Sequence, residues 1–243
     1  MGKSGFEMNT AEEQAIIEAA IKFAKSNRTR ISNELTNLSE YPAVDNPTAV
    51  FMAGAPGAGK TEVSQALVSQ FEHTLRIDAD EYRRFLPGYN GGNSHLFQRA
   101  VSLIVERVLD KVFKRKQNFV LDGTFSNVNV ARRNIERALG HGHSVELLYV
   151  FQNPVVSWAF VGAREEQEGR RILLDTFIEQ FLNSKEVVNE IKNEFGDSIN
   201  VTLLIKNLDM DSAEYINVER CIDDHIRWDY NAPQLRTDLL RAY

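Results

Sequence analysis

The sequence predicts an α/β protein built on a five-stranded parallel sheet with helices on both faces. Three observations predict it. Short apolar runs of β type alternate with helix-patterned segments along the chain. A phosphate-binding signature, Gly54-Ala55-Pro56-Gly57-Ala58-Gly59-Lys60-Thr61, stands between the first such run and a helix. Acidic residues follow the second and third runs directly, where open parallel sheets gather their ligand contacts. Together these place the chain in the P-loop NTPase and kinase class.

The elements follow in order. Thr10-Ala11-Glu12-Glu13 reads as a capping box. It opens an amphipathic helix with Ile16, Ile17, Ala20, Ile21 and Ala24 on one stripe. A turn-rich linker, Tyr41-Pro42 to Asn46-Pro47, separates this helix from the first strand, Ala49 to Ala53. Residues 1–45 are therefore expected to form a helix and linker packed on the core, and residues 46–243 the P-loop domain. Glu62 to Phe71 carries neither Pro nor Gly and reads as the helix that the signature requires. His73 to Ile77 is the second strand, ending at Asp78-Ala79-Asp80. After a Gly- and Asn-rich loop, Ser94 is expected to cap a long helix through Val112. Phe119-Val120-Leu121 is the third strand, followed by a helix over about 130–139. Val145 to Phe151 is the fourth strand. Asn153-Pro154 starts another helix, Phe177 to Asn193 a further one, and Val201 to Ile205 is the fifth strand. The remainder reads as helical, broken at Pro233.

The composition, 43% hydrophobic and 26% charged over 243 residues, suits one sizeable domain with appendages. A net charge of −6 argues against a general nucleic-acid or membrane-surface binder. The single cysteine, Cys221, excludes an intrachain disulfide and reads as a small hydrophobe. No secretory leader and no membrane-length apolar run is evident, so a soluble cytoplasmic protein is expected. The histidines and the cysteine show no metal-ligand spacing.

The chemistry concentrates after the strands. Glycines let successive backbone N–H groups of residues 54–61 point into one anion-sized hollow, and the following helix adds its positive end. Lys60 reaches the β- and γ-phosphates of a nucleotide, and the Thr61 hydroxyl binds Mg²⁺. Asp80 is placed either to accept a proton from a substrate hydroxyl or to cap a turn before Glu81. Asp122, after three apolar residues, either has the shape of a metal-holding Walker-B acid or ends its strand in an ordinary turn, with Thr124 beside it across Gly123. Arg164, Arg170 and Arg171 flank a charged stretch and suit either a transferring phosphoryl group or a solvated helix end. Glu106 falls opposite the apolar stripe of its helix and reads as exposed.

Taken together, the P-loop, Ile77-Asp78-Ala79-Asp80, Val120-Leu121-Asp122-Gly123-Thr124 and the two-arginine arm resemble the zeta toxin family, over about Glu12 to Phe181. The resemblance implies the five-stranded order of P-loop kinases and an ATP-dependent kinase acting on the 3′-hydroxyl of the amino sugar of UDP-N-acetylglucosamine or a related UDP-sugar. It assigns ATP phosphates to Lys60, Mg²⁺ to Thr61, the general base to Asp80 and the γ-phosphate to Arg164 and Arg170. It assigns the sugar nucleotide to Glu106, Asp122 and Thr124, against the exposed reading of Glu106. It also implies a small helical antitoxin that blocks the nucleotide site near the N-terminal helix. Three positions depart from the family pattern, all on the acceptor side. Asp122 replaces a common Glu, Ser126 stands where an Arg is expected, and Phe85-Leu86-Pro87 replaces the usual His-Pro. The other readings are a kinase for another small-molecule hydroxyl, such as a nicotinamide dinucleotide or an antibiotic, and a nucleotide-binding regulator without transfer activity.

Overall fold

A computed structural model describes residues 10–168, 172–206, 213–226 and 230–242. Strands β1 (Thr48–Ala53), β2 (Leu75–Asp78), β3 (Phe119–Asp122), β4 (Ser144–Phe151) and β5 (Asn200–Lys206) pair in parallel in the order β2-β3-β1-β4-β5. A sixth strand, β6 (Ala213–Asn217), adds to the far edge antiparallel to β5. The sheet thus has six strands, one more than the sequence pattern indicates. The physical reason is that an edge strand covered on one face needs little apolar patterning. Ile216 packs inward while Tyr215 is left exposed.

Alternation along the strands sends side chains to two cores. Ala49, Phe51 and Ala53 of β1 face one side, and Met52 faces the other. The first core is closed by α1 (Ala11–Leu35), α4 (Gln98–Arg115) and α5 (Val128–Gly140). The second is closed by α2 (Lys60–Gln70), α6 (Pro154–Glu168) and α8 (Ala232–Arg241). The long α7 (Leu174–Phe195) contributes Phe177 and Phe181 to the second core and Val188 and Ile191 to the first. The remaining helix, α3 (Ala79–Tyr82), is a single turn after β2.

The N-terminal helix begins at the expected capping box. Glu13 N–H donates to Thr10 Oγ1 at 3.2 Å, and Thr10 N–H donates to Glu13 Oε2 at 2.8 Å. Its small buried residues Ala20 and Ala24 let it lie close along α4. Arg115 of α4 closes the far end, with Nη1 donating to Thr36 O at 2.7 Å. Ile16 of the expected stripe is left exposed.

Two local expectations change. Ser94 opens a 3-10 turn, Ser94–Phe97, and α4 proper starts at Gln98. The turn buries Leu96 and Phe97, which outweighs the cap that Ser94 offers. Pro233 does not break a helix but sits in the first turn of α8, where its missing N–H costs nothing. Among the described residues no helix is long and apolar enough to cross a membrane.

Candidate active site

The phosphate loop leaves β1 at Gly54 and enters α2 at Lys60. Two glycines show why the motif is needed. Gly57 has φ +74°, and a Cβ there would strike the carbonyl oxygen of Ser157 on α6. Gly59 has φ +87° and caps α2 in the left-handed region. Gly54 N–H donates to Thr124 O at 3.2 Å, tying the loop after β3 to the phosphate loop.

Lys60 is 8% exposed, and its Nζ donates to Ala55 O at 2.6 Å. Burial pulls its pKa down to about 8. The negative charges of Asp122, Asp80 and Glu62 oppose that shift, and the positive charge of Arg164 adds to it. One lysine amine therefore feels four of the groups that the sequence singled out or placed beside the motif. Arg164 on α6 also pairs with Glu62, the residue after Thr61, at 3.6 Å. The γ-phosphate arginine of the resemblance thus lies over the start of α2. Arg170 lies outside the described residues.

On the other side, β2 ends at Asp78, which accepts from Asp80 N–H at 2.7 Å and so caps α3. The cap role falls to Asp78, and the Asp80 carboxylate pairs instead with Arg83. Arg83 is buried and extends to Gln98 Oε1 at 2.6 Å, joining α3 to the start of α4. Burial and the charge of Asp80 push the Asp78 carboxyl up to about 6, although Arg76 opposes this from 2.5 Å.

Asp122 pairs with Asp78 in the parallel register, and its Oδ2 lies 2.7 Å from Arg76 Nη2 and 2.8 Å from Ser64 Oγ. Ser64 is one turn beyond Lys60 on α2. Asp122 is thus held against the phosphate loop. Thr124 Oγ1 lies 3.0 Å from Ser126 Oγ. Glu106, partly exposed, accepts from Arg133 Nη2 at 2.6 Å and Arg137 Nη1 at 3.2 Å, both on α5. These pairs place it on the α4–α5 surface.

Sequence reasoning missed Arg76 and Arg83. The signal for Arg76 was a charged residue inside a short strand, two positions before Asp78 and so on its face. For Arg83 no comparable pattern exists.

Residues 54–61 fit a phosphate group, with a helix N-terminus and a buried cation converging on one hollow. For Mg²⁺ the donors also fit, since hydroxyl and carboxylate oxygens suit a hard cation that keeps phosphate and water ligands. Thr61 and Asp122 would hold it, beside the nucleotide's own phosphates. Among the described residues no cluster of three acidic, His or Cys side chains offers a protein-only metal cage.

The fold and this loop define a P-loop protein of the kinase type, with a phosphate cradle at the carboxyl ends of parallel strands. The zeta toxin family model matches residues 32–218, and the chain belongs to that family. Toxin PezT of Streptococcus pneumoniae is 24% identical over 129 residues, covering 50% of this chain and 51% of that protein. The chain spans about half the length of the curated relatives it matches. The structure of the PezAT chromosomal toxin–antitoxin system of S. pneumoniae aligns with a TM-score of 0.64 and 17% identity, over 97% of this chain and 96% of that one. A structure of AvrRxo1-ORF1:-ORF2 with ATP aligns with a TM-score of 0.55 and 16% identity, over 86% of this chain and 68% of that one.

Proposed function

We propose that this protein is an ATP-dependent small-molecule kinase that phosphorylates the 3′-hydroxyl of the amino sugar in UDP-N-acetylglucosamine or a related UDP-sugar, poisoning cell-wall synthesis. One observation carries the kinase reading. The buried Lys60 amine feels the charges of Asp122, Arg164 and Asp80, a metal-side acid, a cation and a candidate base. A hydrolase would need a water-positioning group there, whereas a carboxylate after β2 suits a hydroxyl acceptor.

In this reading the P-loop N–H groups and Lys60 hold the ATP phosphates. Asp80 orients the acceptor hydroxyl and takes its proton as that oxygen bonds to the γ-phosphorus. The bond from phosphorus to the β–γ bridging oxygen breaks, and ADP leaves. Arg164 and Arg170 neutralise charge on the transferring group. Mg²⁺, when bound, offsets phosphate charge beside Thr61 and Asp122. Glu106, Asp122 and Thr124 would face the acceptor, Asp122 from beside the metal. For Glu106 this means exchanging its arginine partners on α5 for substrate.

One observation favours a second acceptor class, another small-molecule hydroxyl. Ser126, in place of the expected arginine, opens onto a groove lined by Asn127, Glu179, Asn183, Glu186 and Glu190, where the neighbouring cations Arg132 and Lys185 are already paired with Glu190 and Glu186. The partner reading stands on relatives. A small helical antitoxin would dock near α1, whose Ile16 is exposed.

Incubation with ATP, Mg²⁺ and a metabolite extract, followed by mass spectrometry, tests the acceptor. A phosphorylated UDP-sugar is expected, and its absence beside another phosphorylated species sinks that acceptor. Asp80→Asn should lower turnover about 10²–10⁴-fold with ATP binding retained. Unchanged turnover would exclude Asp80 as the base.

A further inference from the structure

We propose that Arg76 is a positioning residue that locks the metal half of the site to the base half. The inference rests on the kinase reading above, with Asp122 on the metal side and Asp80 as base.

Arg76 sits on β2, and its side chain is 8% exposed, too enclosed to meet a substrate. All three of its guanidinium nitrogens are used. Nη2 lies 2.5 Å from Asp78 Oδ2 and 2.7 Å from Asp122 Oδ2, Nη1 pairs with Glu81, and Nε donates to Ser64 Oγ at 2.8 Å. Each arm ends beside a proposed site residue. Ser64 follows Lys60 and Thr61 on α2. Asp78 caps the turn whose N–H belongs to Asp80, and Glu81 is the next residue. Tyr82 Oη also donates to Arg76 O at 3.3 Å, fastening the same turn to the strand.

The chemistry explains why an arginine is needed. Three carboxylates converge at the tips of β2 and β3, and two of them are largely buried. Uncompensated, they would repel and splay. A planar, multidentate guanidinium holds several acceptors at fixed spacing, which a lysine ammonium does not. Both contacts to Asp122 fall on Oδ2, and among the described residues Oδ1 has no partner. One oxygen is thus clamped and the other left for the metal side. Arg76 acts through these neighbours and touches no reacting atom itself.

The test uses the full chain and two variants, Arg76→Lys and Glu81→Gln. Three quantities are measured: turnover on the acceptor that the metabolite experiment identifies, calorimetric affinity for ATPγS in EDTA and in Mg²⁺, and melting temperature. For Arg76→Lys, turnover should fall at least ~30-fold while metal-free ATPγS affinity stays within ~3-fold, because the P-loop itself is untouched. The extra tightening that Mg²⁺ confers on the native protein should disappear. Turnover within ~3-fold of native, whatever the melting temperature, overturns the proposal, and so does a metal-free affinity that falls as far as turnover. If Arg76→Lys does not fold, Glu81→Gln removes the exposed arm. Its turnover should fall ~3–10-fold at an unchanged melting temperature, and native turnover overturns the proposal. If no acceptor is phosphorylated, the kinase reading fails on its own. The Mg²⁺-dependent tightening still decides for Arg76, its loss supporting the clamp and its retention overturning it.

Discussion

Lys60 shows how burial and function meet in one side chain. Its amine is desolvated, bonded to Ala55 O and held near pKa 8. Triphosphate oxygens arriving beside it would favour the charged form and raise that value. Above pH 8 the free protein therefore carries a partly neutral lysine that must gain a proton to hold the nucleotide. ATPγS binding should take up protons between about pH 8 and 10 and weaken as pH rises through that window. Calorimetry in buffers of different ionisation enthalpy reads this directly. Binding without proton uptake at pH 8.5 would mean that Lys60 is already charged before the nucleotide arrives. At this scale the sequence was uneven. Lys60 and Thr61 could be proposed from the P-loop motif and Asp80 and Asp122 from their position after strands, because strand ends in a parallel sheet converge. Arg76 and Arg83 could not, because what they do depends on which carboxylates the fold brings to them. Glu106 was half legible. The helical wheel placed it off the core, but not onto Arg133 and Arg137.

Elements were read more reliably than partners. Strong local chemistry fixed α1 at its capping box and α2 at the glycine-rich loop. Thr10→Ala should cost about 1 kcal/mol, seen as a lower midpoint in urea with an unchanged slope. Gly57→Ala is a harsher test of the loop. The new methyl would have to displace the Ser157 carbonyl of α6 at a positive φ, so a loss of about 1–3 kcal/mol is expected. ATPγS affinity should fall with it, since the same turn aims the N–H groups. A variant as stable as the native chain would show that α6 yields easily. Where the sequence misjudged an element, tertiary burial had overridden local preference. Leu96 and Phe97 drew the chain into a 3-10 turn ahead of α4, and β6 forms because β5 offers it an edge.

At the scale of the whole molecule, the alternation of strands and helices gave the layer architecture, since helices must cover both faces of a parallel sheet. The extra strand was hidden because its pattern is weak and its pairing is long-range. Its presence has a consequence for the life of the chain before folding is complete. Val201 to Ile205 is a largely apolar run on a strand whose outer edge, among the described residues, is paired with β6. Until residues 213–217 are made and paired, that rail stands open to other nascent chains. The chain beyond them carries α8, whose Leu235 and Leu239 complete the second core. A chain stopped after Lys206 should accordingly precipitate or associate in light scattering, even though every phosphate-loop residue is present. A monomeric, folded product would show that β6 and α8 are dispensable. The residues that finish the fold thus lie well beyond the phosphate loop in sequence, although Leu235 and Leu239 share a core with Ala55 and Ala58. Truncation before β6 would leave the phosphate loop intact in sequence and still hand the chain to quality-control proteases.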